Sequence, residues 1–175
     1  MAESGSGQIE SAEAVIGLVP ASRQVEALEG TIARIVEFTP TMKVALVHPP
    51  YPGSEASSQH LGPKWQLIAL PKLGPEPSSL AQSLGESFRA IFEITQKLGA
   101  RACAIIASDL SSVTAEWIAL LLQPAFEENF DLVAPCYTAH RFEGLINRAI
   151  IYPLVRALYG KQIRNPLGPD FGLSS

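Results

Sequence analysis

Short runs of consecutive apolar residues alternate along this chain with segments whose apolar positions recur every three or four residues. Ala14-Val-Ile-Gly-Leu-Val19 runs unbroken to Pro20, the pattern of a strand buried on both faces. Val25, Leu28, Ile32, Ile35 and Val36 then step at helical spacing, and Pro40 ends any continuation of the helix; one stripe of a helix faces a core. Val44-Ala-Leu-Val47, ahead of Pro49-Pro50, and Trp65-Gln-Leu-Ile-Ala-Leu70, ahead of Pro71, read as two further strands. The clearest helical stripe is Leu80, Leu84, Phe88, Ile91, Phe92, Ile94 and Leu98, with Gly99 where a left-handed cap belongs. Ala102 to Ala107 is a fourth strand. Thr114, whose hydroxyl can accept from the first free amides, and Glu116, a negative charge in the first turn, open a helix from about Ala115 to Glu128. Asp131 to Tyr137 is a fifth strand, and a last helix runs from about Leu145 to Tyr159 with a kink at Pro153.

The segments His48 to Lys64, Pro71 to Ser79 and Gly160 to Ser175 are rich in Pro, Gly and Ser or lack any period that would bury a face, and read as loops. Strands alternating with helices predict an α/β, Rossmann-like fold: a mostly parallel sheet with helices on both faces. Ligands of such sheets bind at the carboxyl ends of the strands, which singles out the segments after Val19, Val47, Leu70, Ala107 and Tyr137. At 175 residues the length suits one domain, expected over residues 14–175 behind a disordered segment 1–13.

Composition narrows the function classes. Hydrophobic residues at 47% against 17% charged exclude disorder for the bulk of the chain. Thirteen Lys and Arg against 17 Asp and Glu, a formal net charge of -4, leave no excess of cation to neutralise a nucleic-acid backbone. Cys103 and Cys136 lie in apolar stretches, far from the spacing of a zinc knuckle, and are expected to be buried reduced thiols. The amino terminus has three acids and no cation before Ala14, unlike a secretory signal, and no apolar run approaches the roughly 20 residues that span a bilayer. A soluble, cytoplasmic protein without a membrane span is expected. His48 and His60, in the first long loop, are expected at the surface.

The motif evidence is mostly negative at first. No Gly-x-Gly-x-x-Gly follows the first strand, whose turn reads Val19-Pro20-Ala21-Ser22-Arg23, and neither a phosphate loop nor a Gly-x-Ser-x-Gly elbow occurs. Dinucleotide, P-loop and serine-hydrolase chemistry lose their support, and a hydrolase working on a sugar nucleotide would lack a nucleophile. There remains Ser108-Asp109-Leu110-Ser111 at the exit of a buried strand. A carboxylate there can hold Mg²⁺ or Mn²⁺ against a diphosphate, or it can simply form the turn.

Longer stretches carry a resemblance. Phe88-Arg-Ala-Ile-Phe-Glu-Ile94, Leu98-Gly-Ala-Arg-Ala-Cys-Ala104, Ser108-Asp109-Leu110 and Ala115-Glu116-Trp117-Ile118 begin it. His140-Arg-Phe-Glu-Gly-Leu-Ile-Asn147, Tyr152-Pro-Leu-Val-Arg-Ala-Leu-Tyr-Gly160 and Ile163-Arg-Asn-Pro-Leu-Gly-Pro-Asp-Phe-Gly172 continue it. Together they resemble nucleotide-sugar glycosyltransferases of the A-type fold, in the family-2-like branch of the mannosylglycerate and glucosyl-3-phosphoglycerate synthases. The resemblance implies transfer of a sugar from a GDP- or UDP-linked donor, with retention of configuration and a divalent metal, to a small, anionic acceptor such as glycerate or phosphoglycerate.

Position by position, the resemblance is uneven. The family's metal-binding Asp-x-Asp falls on Ala107-Ser108-Asp109, which keeps the metal carboxylate, Asp109, and loses the first acid. Pro20 and Ser22 fall on the donor-contacting turn after strand one, with Glu26 the nearest acid, and Ser108 lies beside the donor. The family's Gly-Lys-Gly before the long helix falls on Ser83-Leu84-Gly85 and its base-reading acid near Tyr51-Pro52-Gly53-Ser54, so a cation and an acid are missing. On the acceptor side, His140 and Arg141 suit an anion, Glu143 and Asn147 its hydroxyls, and Asp170 falls where the family places an acid beside the reacting sugar, the catalytic position. Each has a plainer reading: a surface pair for Arg141 and Glu143, a helix surface for Asn147, a turn for Asp170. In the family, a further metal ligand and a helical region come after the point where this sequence ends. A domain without them is expected to expose apolar surface and to pair with a second copy or a partner. Loss of three donor-side groups leaves an alternative open, a catalytically degenerate domain that serves as a binding or assembly module.

Overall fold

The computed structural model describes residues 11–20, 25–37, 40–50, 59–60, 63–70, 80–137, 144–164, 168 and 170–175. Seven strands form one sheet: β1 (Ala14–Val19), β2 (Val44–His48), β3 (Gln59–His60), β4 (Trp65–Ala69), β5 (Ala102–Ala107), β6 (Leu132–Val133) and β7 (Phe171–Ser174), in the order β3-β4-β2-β1-β5-β7-β6. β4, β2, β1 and β5 are mutually parallel, and β3 and β7 are antiparallel to their neighbours. The four apolar runs read from the sequence are these four parallel strands, and every residue of each is buried.

Alternation along the strands sends side chains to two cores. Ala14, Ile16, Leu18, Leu46, Ala104 and Ile106 pack with Leu28 and Ile35 of α1 (Val25–Val36) and with Ile118, Leu121 and Leu122 of α3 (Ala115–Glu127). Val15, Val19, Val47, Cys103 and Ile105 pack on the opposite face with Ala90, Ile91 and Leu98 of α2 (Leu80–Leu98). Gly17 lets α2 approach closely, since a Cβ there would stand 2.6 Å from the Ile91 side chain. Gly99 ends α2 with φ +67°, and the Thr114 hydroxyl accepts from the Trp117 amide at 3.2 Å to cap α3, both as the sequence predicts.

Several expectations are corrected. The tail after Gly160 is not all loop: Phe171–Ser174 is β7, inserted between β5 and β6. Gly172 makes this fit, because a Cβ there would run into the Leu121 carbonyl of α3. The loop between β2 and β4 carries the short β3. The strand expected over Asp131 to Tyr137 narrows to Leu132–Val133, where Pro135, lacking an amide donor, cannot extend a ladder. The last helix contains a π-helical turn (Asn147–Ile151) ahead of α4 (Tyr152–Tyr159), with Pro153 near the start of α4. His48 is buried, 2% exposed, with Nδ1–H donating to the Pro49 carbonyl at 2.8 Å; burial lowers its pKa, and the Pro49 bond opposes that in part. Cys103 is buried as expected, but Cys136 is exposed. The segment 1–10 and the burial of His60 lie outside the described residues.

Candidate functional site

From β1 the chain crosses to β2 and β4 on one side, then returns through α2 to β5 on the other side of β1. The direction of winding therefore reverses between β1 and β5, and it is beyond the carboxyl ends of strands at such a reversal that α/β sheets take ligands. Val19 stands beside Ala107 in register, and the Ser108 amide donates to the Val19 carbonyl at 2.9 Å. The turn after β5 closes with the Leu110 amide on the Ala107 carbonyl at 3.2 Å. It buries Ser108, 4% exposed, and leaves Asp109 exposed. Pro20, half-buried, follows β1 at the same end of the sheet.

Asp170 lies at the start of β7, one residue before the Phe171–Ile105 pair. It is 3% exposed, and both carboxylate oxygens are engaged. Oδ1 accepts from the Ala107 amide at 2.8 Å, so a side chain continues the ladder where the strand ends. Oδ2 accepts from the Tyr137 hydroxyl at 2.6 Å. Burial and the adjacent Asp170 carboxylate both hold the Tyr137 phenol well above its ordinary pKa, so it stays a donor. Tyr137 was missed by sequence reasoning, and a partnership across 33 residues leaves no local signal.

The structure thus brings Pro20, Ser108, Asp109 and Asp170 to one end of the sheet. Asn147 lies in the π-helical turn after β6. Ser22, His140, Arg141, Glu143 and the segment from Tyr51 to Ser54 lie outside the described residues. Ser83-Leu84-Gly85, matched to a motif before the long helix, falls inside α2, and Leu84 packs against the core on that face.

The donor set suits one type of cation site. Among the described residues no three His, Cys, Asp or Glu side chains gather as a metal cage, and Asp170 has both oxygens committed. Asp109 offers one hard, exposed carboxylate. Mg²⁺ and Mn²⁺ are commonly held by one or two carboxylates together with substrate phosphates, so a metal here fits as part of a metal–diphosphate complex.

No family model matches the chain, and no curated protein matches it significantly. Solved structures do. Glucosyl-3-phosphoglycerate synthase from Mycobacterium tuberculosis in complex with Mn²⁺, UDP-glucose and phosphoglyceric acid superposes with a TM-score of 0.56 at 16% identity, over 93% of this chain and 56% of that one. The same enzyme with Mg²⁺ and UDP gives 0.55 at 16% identity, with the same coverage. The chain therefore spans a little over half the length of the structures it matches. No helix among the described residues is long and apolar enough to cross a membrane. Across nearly its whole length, this chain has the mixed, mostly parallel α/β fold of a nucleotide-sugar glycosyltransferase of the A type.

Proposed function

We propose that the chain binds a nucleotide-diphosphate sugar at the carboxyl ends of β1 and β5 and transfers the sugar to a small anionic acceptor. The observation that carries this reading is Asp109: an exposed carboxylate on a turn fixed from beneath by Asp170, at the point where the sheet reverses its winding. The comparison enzyme, which shares the fold, was solved in complex with Mn²⁺, UDP-glucose and phosphoglyceric acid.

Asp109 would hold Mg²⁺ or Mn²⁺, whose chemistry there is to neutralise the charge that develops on a departing diphosphate. Asp170, closed off by the Ala107 amide and Tyr137, acts by positioning: it holds the strand end from which Ser108 and Asp109 project, and it orients the Tyr137 hydroxyl. Pro20 and Ser22 would border the donor. His140 and Arg141 would pair with an acceptor carboxylate or phosphate, and Glu143 and Asn147 would take its hydroxyls.

The test is incubation with UDP-glucose or GDP-mannose, Mn²⁺, and glycerate or phosphoglycerate, with the glycosylated acid read by mass spectrometry. Metal-dependent product that falls at least about 100-fold in Asp109→Asn is expected, the scale on which a group facing developing charge acts. Product formation unaffected by Asp109→Asn would overturn the assignment.

A second reading has its own observation. Leu84, where the resemblance expects a donor-binding cation, is built into the core against α2's neighbours. A domain that has given that position to packing fits a binding module that holds a nucleotide without turning it over. Nucleotide binding with no product from any acceptor would favour this reading.

A further inference from the structure

Tyr137 combines exposure with a fixed hydroxyl. The side chain is 42% exposed, yet its hydroxyl donates at 2.6 Å to Oδ2 of Asp170, which is 3% exposed. An exposed phenol left to water keeps its rotamer freedom, so holding this one still costs conformational entropy. The place where it is held is the end of the sheet that carries Asp109. Only the Asp170 carboxylate separates the Tyr137 hydroxyl from the Ala107 amide, and Ser108 and Asp109 follow at once on the turn.

The bond decides what the phenol can recognise. A hydroxyl has one proton and two lone pairs. The Tyr137 proton is committed to Asp170, and no donor among the described residues reaches the oxygen, so toward a ligand this oxygen can only accept. A phosphate or carboxylate oxygen offers it no proton, and the Asp170 charge behind the phenol repels an anion. A diphosphate at Asp109 and an anionic acceptor are therefore both poor partners for Tyr137. An alcohol suits it, because its hydroxyl donates to the phenol oxygen and the carboxylate that polarises the phenol strengthens the bond. In a nucleotide-diphosphate sugar, the transferred sugar is bonded to the phosphate that departs and carries most of the hydroxyls.

We propose that Tyr137 selects the sugar of the donor: its oxygen accepts from a hydroxyl of the transferred sugar, while Asp109 serves the diphosphate. The inference rests on the donor-binding reading of the turn after β5, and adds to it a residue that separates a sugar conjugate from the bare nucleotide.

The test is calorimetric titration of the whole chain, natural and Tyr137→Phe, with UDP, UDP-glucose, GDP and GDP-mannose in the presence of Mn²⁺. Phenylalanine keeps the ring and loses only the oxygen. Any loosening of Asp170 or of the turn acts on nucleotide and conjugate alike, so the ratio of the two affinities isolates the sugar contact. For whichever nucleotide binds, Tyr137→Phe should leave the bare nucleotide within about twofold and weaken its sugar conjugate about three- to tenfold, the scale of one hydrogen bond. One conjugate lacking a single sugar hydroxyl should bind the natural chain as weakly as Tyr137→Phe binds the parent, and lose nothing further in the variant. Equal losses for nucleotide and conjugate would reduce Tyr137 to a support for Asp170, and no loss for either would remove it from the site; both overturn the inference and leave the donor-binding reading standing. Failure of all four ligands to bind the natural chain overturns the donor-binding reading, and this inference with it.

Discussion

Replacing Asp170 by alanine removes the group that joins three separate parts of the chain: the end of β5, the start of β7 and the segment after β6. The Ala107 amide is buried, with its residue 5% exposed, and loses its acceptor at 2.8 Å; an orphaned buried donor costs about 1–3 kcal/mol. The Tyr137 hydroxyl also loses a bond to a charged acceptor, but Tyr137 is 42% exposed, so water takes over and the remaining loss is about 1 kcal/mol. The total is about 2–4 kcal/mol, which in a chain of this size lowers Tm by about 5–15 °C. Asp170→Asn keeps an oxygen toward the Ala107 amide and gives up the charge, so it should cost about 1–2 kcal/mol. Tyr137→Phe should cost less than Asp170→Ala, and the double variant Tyr137→Phe/Asp170→Asn should show coupling, because the two side chains share one bond. Urea unfolding followed by circular dichroism measures all four. If Asp170→Ala loses less than about 0.5 kcal/mol, or Tyr137 and Asp170 behave additively, Asp170 does not hold the turn beneath Asp109.

Gly172→Ala should destabilise by about 1–3 kcal/mol or more, because its Cβ meets the Leu121 backbone; Gly85→Ala in α2, with open space around it, should stabilise by about 0.5–1 kcal/mol, and chemical denaturation of the pair checks both signs. An alkylating reagent near neutral pH should modify Cys136 and spare Cys103, whose thiol burial pushes its pKa up to about 11; mass spectrometry of the native protein would contradict the described core if it found two adducts before unfolding. The lowered His48 pKa binds protons less readily than the unfolded chain does, so its contribution to stability is full above about pH 6.5 and declines as pH falls toward the folded-state value. Tm measured from pH 8 to 5 should therefore fall less steeply in His48→Gln, and parallel profiles would refute the assignment.

Much of the fold was written in local pattern. The buried parallel strands Ala14–Val19, Val44–His48, Trp65–Ala69 and Ala102–Ala107 are continuous apolar runs ended by proline or a polar turn, and the stripe of α2 repeats with helical spacing along its whole length. The errors lie where stability comes from distant partners. β7 is four residues in a segment rich in Pro and Gly, and becomes a strand only because β5 and β6 flank it and α3 leaves room for Gly172. Tyr137 and Asp170 are ordinary residues until the sheet brings them together. His48 ends an apolar run just before two prolines, so the sequence could place it in the strand or the loop, and the β4 strand beside it decides. At the site, Asp109 was legible as a lone acid after a buried strand; that its turn is held from beneath by Asp170 was not.

The most direct test of the central claim is calorimetric titration of the protein with Mn²⁺ alone, with UDP and GDP alone, and with each nucleotide in the presence of Mn²⁺, in the natural sequence and in Asp109→Asn. With one exposed carboxylate on the turn after β5 and no cage among the described residues, Mn²⁺ alone should give no saturable heat, Mn²⁺ with a nucleoside diphosphate should bind at one site, and Asp109→Asn should lose that binding. Saturable binding of Mn²⁺ without nucleotide, nucleotide binding indifferent to the metal, or binding unchanged in Asp109→Asn would contradict the account.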